Sequence, residues 1–192
     1  MTTDLAPDTA GNAPLASTGR RAVLERATVR EILMGAQDNL TTVLAVMLGV
    51  SIGSGRADLV ALAGLSAAVA EAVSMGGVLY NSTRAEEALE AHIRVDGTVA
   101  PRMTLAPAQS GFVTFVAAML AGLIPLAPFV ILPLPAAVYA SVAASVIVLF
   151  VLGSVIGRIS GSTWWRDGLR LLVVAGLAAI GSALVGAALR VG

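Results

Sequence analysis

The sequence predicts an all-α, polytopic membrane protein with five transmembrane helices and a cytoplasmic N-terminus. Three observations carry this expectation. Of the 192 residues, 57% are hydrophobic and only 12% charged, and mean hydropathy is +0.87, outside the usual range of a soluble domain. The apolar residues fall into long runs of the roughly 20 residues that a helix needs to cross ~30 Å of hydrocarbon. The arginines gather in the segments that would join those runs on one side.

Residues 1–19 (MTTDLAPDTAGNAPLASTG) are rich in Ala, Thr, Pro and Gly, with acids at Asp4 and Asp8. They lack the basic front and apolar run of a secretory signal, and residues 1–27 are expected to form a disordered, polar cytosolic tail. A transmembrane unit then fills residues 28–192. Its spans are expected at about 32–54, 59–81, 109–131, 134–157 and 168–189. The second and third are joined by a short cytosolic connection, 82–108, whose first part (NSTRAEEALEAHI) extends the second helix by two or three turns. Pro125 and Pro128 lie within the third span, so its outer end is expected to be kinked or unwound. Leu132-Pro133-Leu134-Pro135 separates it from the fourth.

Orientation follows from arginine, since the chain has no lysine. Arg20, Arg21, Arg26 and Arg30 precede the first span, and Arg84, Arg94 and Arg102 lie in the second connection. Arg158, Arg166 and Arg170 surround the fourth, whereas the opposite side holds only Arg56 and Arg190. The positive-inside rule therefore places the N-terminus in the cytoplasm and the C-terminus outside. Trp164 and Trp165 then fall at the cytoplasmic interface as anchors. Recurrent glycines (Gly49, Gly53, Gly64, Gly76, Gly77, Gly176, Gly181, Gly186) allow close helix packing in lipid.

A balanced net charge gives no argument for a nucleic-acid partner. Without cysteine, disulfides and thiolate metal sites are excluded, and the single His92 cannot build a catalytic triad inside the membrane. No enzyme is expected, and no resident cofactor. What remains are three acids at or within bilayer depth: Glu31 at the edge, Asp38 in the first span and Glu71 in the second. Such charges are costly in lipid and normally face a bundle interior or an aqueous path. Glu31 and Asp38, seven apart, share one face of the first helix, and Glu71 and Met75, four apart, share one face of the second. With the two helices antiparallel, Asp38 and Met75 should lie at similar depth, with Glu71 about one turn deeper. Carboxylates with a thioether form a mixed hard and soft ligand set that suits Fe²⁺ or Mn²⁺ better than Mg²⁺ or Ca²⁺. Buried acids can also exchange a proton for a metal near neutral pH. The alternative is architectural: Asp38 paired with an arginine or bonded to Thr41 or Thr42, and Met75 as core filling.

Beyond this, the chain resembles the vacuolar iron transporter family. The resemblance covers roughly residues 28–190 and rests on VREILMGAQDNLTTVLAVMLGVSIG, on AEAVSMGGVLYNST with its Ser74-Met75 pair, and on AGLIPLAPFVILP. It implies a homodimeric, proton-coupled exporter of Fe²⁺ or Mn²⁺ from the cytosol, in this case across the plasma membrane, with its pathway at the dimer interface. Asp38 and Glu31 match acids lining that pathway, and Met75 matches its methionine ligand. The chain departs from the family at Asn39, where many relatives have Gly after the acid, and at Leu79, where many bacterial relatives have Glu before Tyr80. It also has Ala67 where eukaryotic relatives place an acid, with Glu71 as a substitute. Many relatives carry a glutamate-rich cytosolic domain between the second and third spans, for which 82–108 is too short. Glu86, Glu90 and His92 form a solvated helix face there or a weak surface metal site. A non-transporting membrane scaffold or regulatory protein that keeps the fold is the competing reading.

Overall fold

A computed structural model describes the backbone of residues 13–93 and 105–190, and the side chains of 28–89 and 105–190. The described residues form six helices: α1 (Ala13–Ser54), α2 (Ala57–Ile93), α3 (Pro107–Leu123), α4 (Pro128–Ile131), α5 (Leu134–Ile159) and α6 (Trp164–Ala188).

Four of these contain stretches long and apolar enough to cross a membrane: Thr28–Ser54, Ala57–Leu89, Leu134–Ile159 and Trp164–Ala188. The expected third span is broken. α3 stops at Leu123 after 17 residues, a turn follows through residues 124–127, and α4 adds one short turn of helix. The cause is Pro125, which has no N–H to donate, followed by Pro128. Bonds of the tighter i→i+3 kind, such as Leu126 N–H to the Leu123 carbonyl (3.2 Å), carry the chain through the bend. The buried Ser141 hydroxyl of α5 donates to the Pro125 carbonyl at 2.8 Å, which fastens the break to the bundle.

One boundary differs from the sequence expectation and one agrees with it. α1 begins at Ala13, so 13–27 is helical instead of the expected tail. The segment APLASTGRRAVLERATVR is rich in Ala and Arg, which favour helix, and its proline lies in the first turn, where it is tolerated. α2 continues to Ile93, as expected for the extension through NSTRAEEALEAHI. Residues 1–12 and 94–104 lie outside the described residues, as do the side chains of Glu90 and His92.

α1 is the centre of the bundle, packing against α2, α3, α5 and α6. Close approaches give the helix directions. Gly49 and Gly53 of α1 meet Ser182 and Gly186 of α6, and Gly35 and Asn39 of α1 meet Thr114 and Gly122 of α3, so these three helices run the same way. Gly153 and Gly157 of α5 meet Gly168 and Asp167 of α6 in opposite order, so α5 runs against α6. α2 turns back from α1 at Gly55, whose φ of +62° is a conformation that glycine adopts without strain. The start of α1 and α3, the end of α2 and α5, and the start of α6 therefore share one end of the bundle. Arg30, Arg84, Arg158, Arg166 and Arg170 lie at that end. At the α5–α6 turn, Asp167 accepts hydrogen bonds from Ser162 and Arg170, and Arg158 stacks 5.6 Å above the Trp164 ring.

The interior joins α1 to every neighbour. One cluster holds Ala36, Leu40, Ala121, Leu149, Leu171 and Ala175, and a second holds Val43, Met47, Val60, Ala68 and Leu126. Large apolar side chains (Leu62, Val73, Ile147, Leu177, Ile180) point outward, while Asn39, Ser110, Thr114, Ser141 and Ser145 are buried. That inversion suits a lipid surround, where small contact residues and interhelical hydrogen bonds hold helices together.

Candidate metal pathway on the first two helices

The sequence-predicted residues lie on the α1–α2 pair, toward the arginine-rich end. Gly35 packed beside Met75, and Asn39 bonded to Ala68, set an antiparallel register in which Asp38 lies level with Glu71 as its neighbour across the α1–α2 contact. Asp38 is exposed on the surface of the single chain and Glu71 half-buried. The register is thus one turn different from the expected one: Asp38 is level with Glu71, and Met75 lies beside Gly35. A Cβ placed on Gly35 would be 3.3 Å from the Met75 Cε and 3.1 Å from the Thr114 Cγ2. Glycine at position 35 leaves room for the thioether to enter between α1 and α3, so Met75 is half-buried and wedged. Glu31 is exposed two turns from Asp38, about 10 Å along the axis at the helical rise. The structure brings together Asp38 and Glu71, with Met75 one turn away on the same face as Glu71, and leaves Glu31 at the approach.

The Thr41 hydroxyl donates to the Gln37 carbonyl of its own helix at 2.9 Å. Among the described residues, the ion pairs that involve Asp58 and Asp167 lie at helix connections, away from Asp38. No three His, Cys, Asp or Glu side chains gather into a metal cluster among the described residues. One chain therefore supplies two carboxyl groups and a nearby thioether, an incomplete shell for a divalent ion.

Sequence reasoning passed over Asn39 as no more than a departure from a motif. It is fully buried. Its Nδ2 donates to the main-chain carbonyls of Ala68 in α2 (3.0 Å) and Ala118 in α3 (2.8 Å), while Oδ1 has no partner. The available signal was periodicity: Asn39, Val43 and Met47 recur at intervals of four, and all are buried.

The VIT family's sequence profile matches residues 29–96 and 83–187, which together span most of the chain. The chain belongs to the VIT family. The two matched VIT segments overlap at residues 83–96, around the end of α2. VIT membership makes this a membrane protein of a metal-ion transporter family rather than an enzyme family. No curated protein matches the chain.

Proposed function

We propose that this protein exports Fe²⁺ or Mn²⁺ from the cytosol in exchange for protons, working as a homodimer in the plasma membrane. The observation that carries the proposal is the facing pair Asp38 and Glu71 beside Met75. Two neighbouring carboxyl groups can be bridged by a proton or by a divalent cation, and each occupant excludes the other. This mutual exclusion is the elementary requirement of antiport. The thioether adds a soft donor, which favours Fe²⁺ and Mn²⁺ over Mg²⁺. Because Asp38 is exposed and one chain's shell is incomplete, a two-fold partner presenting the same face would double the ligands without further sequence.

The proposed topology has five crossings. α2 and α5 run in the same direction, so α3, its bend and α4 must return the chain across the bilayer between them. The shared arginine-rich end would face the cytoplasm, with Glu31 at the entrance. Reconstituted into proteoliposomes with an imposed pH gradient, the protein should move Mn²⁺ against proton flow, read by a metal dye and a pH dye together. Metal flux without proton movement would refute the exchange, and absence of both would refute transport.

A scaffold role has one observation in its favour. Leu79, at a position where many bacterial relatives have Glu, is buried in the helix contacts of α2. In that case the same liposomes would be silent.

A further inference from the structure

We infer that Asn39 is a positioning residue that sets the register and rotation of α1 so that Asp38 meets Glu71; the inference rests on the transport reading of that pair. Asp38 and Asn39 are successive on a helix and so point about 100° apart. Asn39 is turned fully inward, and its amide is held at two points on two different helices. With that direction fixed, Asp38 is directed to the α2 side. Along α2, the bonded carbonyl of Ala68 lies one turn from Glu71, so the bond that fixes α1 also fixes the level at which Asp38 faces Glu71. Both acceptors are helix carbonyls, which can accept a second bond without losing the first. The grip therefore depends on backbone position and holds α1, α2 and α3 at one level.

The space for this amide is also specific. A Cβ on Gly122 of α3 would lie 2.9 Å from Asn39 Nδ2, 3.0 Å from Oδ1 and 3.1 Å from the Ala68 Cβ. Glycine at 122 is what lets the amide enter between α2 and α3. Oδ1 has no protein partner, so the amide acts on the packing through its two donor bonds.

The test uses the full-length protein in detergent and in proteoliposomes, with Mn²⁺ as the probe. Asn39→Ala removes both donors, and Gly122→Ala displaces the amide while keeping the Asn39 side chain. Each should raise the Mn²⁺ dissociation constant and the transport KM about tenfold in protein that remains folded and dimeric, with kcat changed much less. A residue that only supports the fold would lower the melting temperature while the folded fraction kept its wild-type KM. Wild-type KM in either folded variant would overturn the inference. Gly122→Ala, with Asn39 intact, supplies the measurement if Asn39→Ala does not fold. Wild-type protein that neither binds nor carries Mn²⁺ would overturn the transport reading and this inference with it. Binding by the wild type with no loss in the variants would overturn the inference alone.

Discussion

At Asp38, ligand and architectural contact differ in charge rather than in shape. Asp38→Asn keeps size and hydrogen-bonding capacity but removes the charge and the exchangeable proton, so it should abolish Mn²⁺ and Fe²⁺ flux while leaving insertion and melting temperature near wild type. Flux at the wild-type rate would reduce the carboxylate to architecture. Met75→Leu is the companion change, a near-isosteric swap that costs less than about 1.5 kcal/mol in packing. A loss of Mn²⁺ flux in a variant that melts normally would identify the thioether as a ligand, and retained flux would make Met75 filling for the gap left by Gly35. The acids themselves were legible in the sequence, since carboxylates in an apolar run are conspicuous. Their register was not, because it depends on a bond between Asn39 and a backbone carbonyl 29 residues away. Periodicity shows the face a residue occupies but carries no information about which carbonyl it will find.

Among the elements, the glycines divide into those that helices touch and those they do not. On Gly186 a Cβ would collide with the main chain of Gly49, whereas on Gly176 it would meet nothing within 4 Å. Gly186→Ala should therefore force α1 and α6 apart and destabilise by roughly 1–3 kcal/mol, the usual range for overpacking. Gly176→Ala should be neutral, or stabilising by up to about 1 kcal/mol through better helix propensity. Thermal melting in a single detergent separates the two; equal effects would contradict the packing described for α6. Both glycines look alike in sequence. The broken third helix, by contrast, was legible, because Pro125 removes an N–H wherever it stands. That the break is fastened by Ser141 was not, since α5 follows the bend in sequence and its approach is a tertiary fact.

For the molecule as a whole, the absence of cysteine gives a clean test of orientation. A membrane-impermeant thiol reagent applied to intact cells should label Arg56→Cys, at the α1–α2 turn, and should label Ser160→Cys, at the α5–α6 turn, only after permeabilisation. The reverse pattern would place the arginine-rich end outside and invert the proposed direction of transport. Assembly is checked on the same background: Met34→Cys, one turn from Asp38 on the same exposed face of α1, should form a disulfide-linked dimer under mild oxidation. A chain that stays monomeric there would leave the Asp38 face turned to lipid.

The two partners of Asn39 also have an order in time. Chains are made from the N-terminus, so α1 is synthesised before α2 and well before α3. Its buried amide can bond Ala68 once α2 is inserted, but its second acceptor, Ala118, is synthesised 79 residues after it. Until then α1 holds an unsatisfied donor in hydrocarbon, a cost that disfavours settling early into a lipid-facing position. The helix that ends at the centre of the bundle is thus kept available for the helices that will surround it, and a nascent chain arrested before α3 would still be waiting for its last hydrogen bond.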